Sequence, residues 1–596
     1  MKGSFLKYRQ DRFFEATSLV IGLRPGLPLL RLGFKQPSHS PLERCCDTLT
    51  LMRTSALQGL MMDYPLTITS ILERIPGLFG KREIASKFPD HIHRYTYAEF
   101  YARTHRLAHV LTQAGLKPGD RVASLCWNSY RHLELYFAVP SLGCVLHTLN
   151  LRLADDQLAY IINHAGDKVL IADASLLPIL ERLRGLIPCV ETVIVMPDAP
   201  HQEPLDYETL LAKAPAALYA WPALDESEAC ATCYTSGTTG NPKGVLYSHR
   251  AMYLHSMSLS MVDNFGLCER DVILQMVPMF HANGWGLPYA GVMNGAKLLF
   301  SGRQLQPADI ASLIESEQVT FTSGVPTLWM GLYSHLEAHG GSIASLRTGI
   351  AAGSAMPRPF IDLFRKKYGL ELRLAWGMTE TTPIATVNTL KGAQDALGNE
   401  ERVDALARHG RASPACDLRI LGDDHREVPH DGATMGELQI RGAWITSGYF
   451  NDPRPEAFDE GPRGELWFRT GDVATIDGEG FIQIMDRTKD LVKSGGEWIS
   501  SVDLENLIMG HPKVAEAAVI GVFHPKWEER PLACVVPLAE HRATITKEEI
   551  LEFLRPHIAK WWMPDDVVFI EAVPKTSVGK FNKRALRAQF ASYKLP

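Results

Sequence analysis

From Tyr95 onward the chain alternates short β-branched or apolar runs with segments of helical periodicity, and no other feature restricts its fold as tightly. Val122-Ala123-Ser124-Leu125, Lys168 to Ala172, Thr192 to Val195 and Lys297 to Phe300 carry the strand signal. Between them lie stretches such as Tyr97 to Ala114, whose apolar residues recur every three or four positions and so share one helix face. Strands joined by helix-length crossovers pair in parallel, and a parallel sheet must be covered on both faces. The expectation is an α/β chain built from helix-covered sheets.

A chain of 596 residues is too long for one hydrophobic core. Near Gly464 the texture becomes strand-rich, with runs at Glu465 to Arg469 and Gly480 to Met485, and the charged segment Asp486-Arg487-Thr488-Lys489-Asp490 follows. Beyond it come a strand-like run, Ala515 to Val522, and helical segments over Lys547 to Ile558 and Lys583 to Ala591. The expected division is a basic extension over 1–62, a large domain over 63–488 carrying a β-rich subdomain, and a small α+β domain over 489–596. In the extension Lys2, Lys7, Arg9, Arg12, Arg24, Arg31, Lys35, Arg44 and Arg53 outnumber four acidic residues. A transit peptide is one reading, but Asp11, Glu15, Pro25 and Pro28 interrupt any amphipathic helix; a disordered or mis-assigned start, with Met52, Met61 or Met62 as the true one, is the other. No stretch reads as a membrane span, Leu135 to Val145 being too short.

With 61 basic against 67 acidic side chains the chain lacks the positive field of a nucleic-acid binder, so any anionic ligand must be met by local cations. The 10 cysteines are scattered; the lone Cys230-Ala-Thr-Cys233 has no second pair to complete a zinc site or disulfide framework, and reduced, packed thiols in a cytoplasmic protein are expected.

The strongest local signal is Tyr234-Thr235-Ser236-Gly237-Thr238-Thr239-Gly240-Asn241-Pro242-Lys243-Gly244. Its glycines let the backbone turn tightly and aim N–H groups inward, its hydroxyls add donors, and Lys243 supplies a cation, a combination suited to polyphosphate. A Walker loop requires Gly-Lys followed by Ser or Thr; here Lys243 follows Pro242 and precedes Gly244. Strand-like Val245-Leu246-Tyr247 closely follows, which a surface linker would not require.

This loop resembles the one diagnostic of the adenylate-forming superfamily of acyl-CoA synthetases, luciferases and peptide-synthetase adenylation domains. Further segments agree in that family's order from roughly Tyr64 to Leu586: Pro278-Met279-Phe280-His281, Trp376-Gly377-Met378-Thr379-Glu380, Phe468-Arg469-Thr470-Gly471-Asp472, Asp486 to Asp490, Lys493-Ser494-Gly495-Gly496-Glu497 and Thr576-Ser577-Val578-Gly579-Lys580. The resemblance implies an enzyme that joins a carboxylic acid to ATP as an acyl-adenylate and then passes the acyl group to coenzyme A.

A carboxylate attacking the α-phosphate brings two anions together while pyrophosphate leaves, so cations and oriented donors are the chief need. By resemblance, Thr235, Ser236, Gly237, Thr238, Thr239, Gly240 and Lys243 hold the phosphates, Glu380 and Thr235 bind Mg²⁺, which favours oxygen ligands, and Lys580 bridges the carboxylate and the α-phosphate. Trp376 and Gly377 match the adenine-stacking position, Asp472 in an expected Thr-Gly-Asp turn and Arg487 match ribose contacts, and Gly353, Ser354, Ala355 and Thr379 fall on pocket-lining segments with Trp285 and Val325. His281 lies near the acyl carboxylate and thiol approach, without being assigned as a general base. Lys489 matches a hinge about which the small domain is mobile, bringing Lys493, Gly495, Gly496 and Glu497 round to form a pantetheine channel.

His281-Ala-Asn-Gly-Trp285, Lys243 to Arg250 and Lys493 to Ser500 look most like bacterial medium-chain fatty-acid–CoA ligases. A ligase for 3-methylthiopropanoate or another short acid is the alternative, and a luciferase-like oxygenase or a non-catalytic nucleotide-binding regulator are rivals of other classes. The expected partners are a carboxylic acid, ATP and coenzyme A, with Mg²⁺ as cofactor; a homodimer is one option for the assembly, which the sequence does not set.

Overall fold

The computed structural model describes residues 57, 59–197, 206–235, 241–303, 305–495, 497–576 and 580–595, and a compact unit runs from Tyr64 to Pro596. The basic extension therefore falls almost entirely outside the described residues, as do Ser236, Gly237, Thr238, Thr239 and Gly240 of the phosphate loop and Gly496.

Two large sheets carry the body, in line with the α/β expectation. One has nine strands, its central six, Leu372–Gly377, Thr348–Ala352, Phe321–Gly324, Val272–Gln275, Lys297–Phe300 and Glu83–Lys87, running parallel. The other has six, Thr192–Met196, Asp167–Asp173, Arg121–Leu125, Val145–Thr148 and Ala229–Tyr234 in parallel, with Gly244–Ser248 antiparallel at the edge. The helix Tyr97–Gln113 begins with a reciprocal cap, Glu99 N donating to Thr96 Oγ1 at 3.2 Å and Thr96 N to Glu99 Oε2 at 2.7 Å. It buries Tyr97, Phe100, Leu107 and Leu111, the face that the sequence period predicts.

Every residue of the helix Tyr130–Ser141 is buried, because it touches Glu83–Lys87 of one large sheet and Val145–Thr148 and Ala229–Tyr234 of the other. That position explains the apolar run over 135–145: a helix hydrophobic all round can be the filling between two sheets. Among the described residues no helix is long and apolar enough to cross a membrane.

A third, antiparallel sheet comprises Cys416–Leu421, Gly436–Gly442, Leu466–Ile476, Phe458–Glu460 and Ile482–Arg487. The β-rich part thus begins near Cys416, well before the Gly464 read from texture, because the polar turn over 422–432 separates its first two strands and dilutes the pattern. The C-terminal part is a further five-stranded sheet, built around Val514–His524 and Glu528–Pro537, with helices Ser501–Met509, Lys547–Leu554 and Lys583–Gln589. The helix expected to reach Ile558 stops at Leu554: Arg555 keeps helical backbone as the cap, but Pro556 has no N–H with which to continue the hydrogen-bond ladder.

Candidate functional site

The site lies where the parallel strands end. Phe321–Gly324 leads into Val325, Thr348–Ala352 into Gly353-Ser354-Ala355, Leu372–Gly377 into Thr379-Glu380, and Ala229–Tyr234 into Thr235. All of these border a single cavity of about 670 Å³, together with Lys243, His281, Trp285, Trp376, Asp472, Arg487, Lys489 and Lys580. Carboxyl ends of parallel strands are where open α/β sheets hold ligands.

On one wall Asp472 is fixed from two sides: Trp376 Nε1 donates to its Oδ2 at 2.8 Å and Arg487 Nε lies 2.6 Å from its Oδ1. A carboxylate has roughly four lone-pair directions, so both oxygens keep capacity for a vicinal diol. The expected Thr-Gly-Asp turn is not a turn. Asp472 lies within the continuous strand Leu466–Ile476, and Gly471, at φ +70°, forms a bulge opposite Leu438 that re-aims the carboxylate. Thr470 Oγ1 secures the bulge by donating to Leu438 O at 2.7 Å. Trp376→Phe keeps an aromatic face and deletes only the N–H, so it should raise the KM for ATP about tenfold with kcat within about threefold, measured by ATP–pyrophosphate exchange.

Further residues lining the cavity handle charge. Thr235 and Lys243 close the neck of the phosphate loop, Thr235 N donating to Lys243 O at 2.9 Å and Lys243 N to Thr235 Oγ1 at 3.2 Å. Glu380 is 6% exposed and faces the cavity, and Tyr449 donates its hydroxyl to Glu380 Oε1 at 2.7 Å. Burial and the neighbouring Glu380 raise the Tyr449 phenol well above its ordinary value, so it stays a donor. Lys243 Nζ sits 4.8 Å from the centre of the Tyr449 ring. A buried carboxylate and a hydroxyl offer only oxygen, the donor set Mg²⁺ selects. Glu380 and Thr235 both border the cavity, so their oxygens fit a cation shared with substrate phosphates.

Lys580 enters from the C-terminal part. Its Cε would lie 3.5 Å from a Cβ added at Gly353, where Val325 and Trp285 also close in, so any side chain at 353 would meet the lysine. Burial, and then Arg487, lower the ammonium to about 8 against the opposing pull of Asp472 and Glu380. His281, beside Lys580 and Arg152, falls to about 3, chiefly through burial, and is neutral. Trp285 lies in a left-handed turn around Asn283-Gly284: Ala282, Asn283, Gly284, Trp285 and Gly286 all have positive φ, between 42° and 75°. Such backbone costs about 1–2 kcal/mol at each non-glycine residue, and Gln275 Nε2 helps to hold it by donating to Gly284 O at 3.1 Å.

Lys493 and Gly495 do not line the cavity; they lie on the hairpin Val492–Ser494 with Glu497–Ile499, where Gly495 N donates to Trp527 O at 2.9 Å. Lys489 borders the cavity with an exposed side chain, its ammonium lowered by desolvation first and then by the surrounding Arg487, Arg587 and Arg584. The junction itself is tied at Asp486, whose Oδ2 accepts from Ser501 N at 2.8 Å, and Lys583 joins Ser501 Oγ at 2.5 Å to Glu505 at 2.8 Å. Tyr449 and Lys583 lay outside the motif segments marked from sequence, and Asp486, inside one of them, was given no role there. Cys230 and Cys233 are buried on the strand Ala229–Tyr234, as the packing reading holds.

Known proteins share this arrangement. Residues 79–450 match the AMP-binding enzyme family and residues 503–580 the AMP-binding enzyme C-terminal domain. The chain is 47% identical over 543 residues to a long-chain-fatty-acid–CoA ligase of Thermus thermophilus, covering 91% of this chain and 98% of that one. It is 43% identical to a 3-methylmercaptopropionyl-CoA ligase of Ruegeria lacuscaerulensis (89% and 98% covered) and 41% identical to a medium-chain-fatty-acid–CoA ligase of Ectopseudomonas oleovorans (89% and 97%). ATP-bound MatB from Rhodopseudomonas palustris superposes with a TM-score of 0.77 at 27% identity, over 89% of this chain and 100% of that one. The chain therefore belongs to the AMP-binding enzyme family, and within this adenylate-forming superfamily it is an acyl-CoA synthetase, an AMP-forming acid–thiol ligase.

Proposed function

We propose that the chain is an ATP-dependent fatty-acid–CoA ligase for medium to long acyl chains, working in the cytoplasm. The observation that supports it most is the placement of Lys580: it reaches the cavity between the Gly353 wall and the Asp472–Arg487 pair, where an acyl carboxylate and an α-phosphate would meet. Val277, Val325, Leu328, Met330 and Ala352 give the cavity an apolar side suited to an alkyl chain, while Lys243, Arg487 and Lys580 give it a cationic one.

In this reading Asp472 and Arg487 hold the ribose beside Trp376, and Lys243 with the loop amides grips the β- and γ-phosphates. Lys580 donates to the carboxylate and the α-phosphate as negative charge concentrates there, stabilisation that requires no reorganisation because the group is already placed. Mg²⁺ bound between Glu380, Thr235 and the phosphates would supply further charge neutralisation of the leaving pyrophosphate. Neutral His281 orients the acyl carboxylate and removes no proton, since an imidazole lowered to about 3 is a poor base. The small domain then turns about Lys489, withdrawing Lys580 and bringing Lys493 to Glu497 to the cavity for thiol attack.

The protonated form of Lys580 is the active one, and in the free enzyme it persists below about pH 8. The kcat/KM for adenylation should therefore fall as pH rises through about 8, by about tenfold per unit beyond. Bound ATP adds negative charge and raises the lysine, so the limb in kcat should lie at higher pH; coincident limbs would contradict the assignment.

CoA-dependent AMP release across acids from acetate to palmitate, with aromatic and methylthio acids alongside, tests the substrate class. A maximum in kcat/KM between about C8 and C16, with gains of about fourfold per buried methylene, is expected. The 43% identity to a 3-methylmercaptopropionyl-CoA ligase favours a second reading, a ligase for a short thioether acid, which a maximum at 3-methylthiopropanoate would establish.

A further inference from the structure

Tyr449 belongs to none of the segments that the sequence marked, yet it touches both groups assigned to the leaving phosphates. Its hydroxyl donates to Glu380 Oε1 at 2.7 Å and its ring lies 4.8 Å from Lys243 Nζ. The flanking backbone repeats this two-sided tie: Thr446 N donates to Glu380 O at 2.9 Å, and Phe450 N donates to Gly244 O at 2.9 Å. The two partners come from different sheets, Glu380 following the strand Leu372–Gly377 of the nine-stranded sheet and Lys243 preceding Gly244–Ser248 of the six-stranded one. Segment 446–450 therefore spans the two halves of the phosphate site at the point where their spacing matters.

We infer that Tyr449 is a positioning residue that fixes the Glu380 carboxylate relative to Lys243, so that a divalent cation and the pyrophosphate moiety are gripped at one set distance. The inference rests on the proposed role of Glu380 at the cation. A phenol suits the task better than a cation would. A lysine or arginine paired with Glu380 would neutralise the carboxylate that the metal needs, whereas a neutral O–H orients one oxygen and leaves the charge in place. Likewise, an ammonium over an aromatic face is held without spending its N–H donors on a carboxylate, so they remain for phosphate. Deleting the hydroxyl would free the Glu380 carboxylate to turn toward Arg487, whose positive charge already interacts with it.

The test uses the full-length protein and a non-hydrolysable α,β-methylene analogue of ATP, titrated by calorimetry with and without Mg²⁺, for wild type, Tyr449→Phe, Tyr449→Leu and Glu380→Gln. Tyr449→Phe should raise the Mg²⁺ concentration that half-saturates analogue binding about 10- to 100-fold, the usual consequence of removing a group that orients a metal-binding carboxylate, while metal-free binding stays within about twofold. Tyr449→Leu, which also removes the platform under Lys243, should in addition weaken metal-free binding about fivefold. An unchanged Mg²⁺ requirement in Tyr449→Phe, alongside a raised one in Glu380→Gln, overturns the inference and leaves the role of Glu380 standing. Equal losses with and without Mg²⁺ in Tyr449→Phe also overturn it, since they mark a merely structural residue. An unchanged requirement in Glu380→Gln overturns the underlying role itself.

Discussion

Lys580→Ala is expected to slow acyl-adenylate formation about a thousandfold and to leave CoA attack on supplied acyl-adenylate within about threefold of wild type. The asymmetry follows from position. Lys580 reaches the cavity beside Gly353 in an arrangement where Lys493 and Gly495 lie on a hairpin outside it. On the proposed reading the cavity would not hold both the lysine and a thiol entering from the small domain, so the two half-reactions would draw on different faces of that domain. Acid-dependent ATP–pyrophosphate exchange measures the first step, and thioester formation from synthetic acyl-adenylate measures the second. Loss of both in a folded variant would mean that Lys580 serves the structure of the junction rather than charge at the α-phosphate.

Gly377→Ala should be the most disruptive single-atom change at the site, destabilising the protein by about 3 kcal/mol or more. An added Cβ would lie 1.8 Å from Pro383 O and 2.8 Å from its carbonyl carbon, and backbone cannot swing aside as a flexible side chain can. The same substitution at Gly392, which meets nothing within 4 Å, is the matched control and should change stability by less than about 0.5 kcal/mol. Differential scanning of both proteins checks the contrast; a Gly377→Ala variant melting with wild type would show that the Trp376–Glu380 passage relaxes more easily than its packing implies. The clash explains why the passage carries glycine: the chain must fold back on itself for Trp376 to reach Asp472 while Glu380, four residues on, reaches Tyr449.

What could be read from sequence follows how local each feature is. The strands Lys297–Phe300 and Thr192–Met196 and the helix Tyr97–Gln113 were legible because burial imposes its period directly on consecutive residues. The phosphate-loop signal was legible because its glycines, hydroxyls and Lys243 are contiguous. Asp472 could be chosen but its setting could not. A glycine before an aspartate reads as a turn, and only the register against Leu438 reveals a bulge inside a strand. In the left-handed turn at Ala282 to Gly286, Asn283, Gly284 and Gly286 suit positive φ, whereas Ala282 and Trp285 do not; the Asn-Gly pair is a local turn signal, but the extension of positive φ to its two neighbours is not a local preference. Tyr449 was illegible for another reason: its importance arises where two sheets meet, and residues 243, 380 and 449 are far apart in the chain.

On the proposed reading the cavity forms an acyl-adenylate by itself and releases it only to a thiol. The most direct measurement is fatty-acid-dependent ATP–pyrophosphate exchange without coenzyme A, followed by quantification of AMP and thioester after coenzyme A is added. The predicted result is robust exchange in the absence of coenzyme A, Mg²⁺-dependent and abolished in Lys580→Ala, and then one thioester for each AMP. Exchange that requires coenzyme A, or AMP released without thioester, would contradict it.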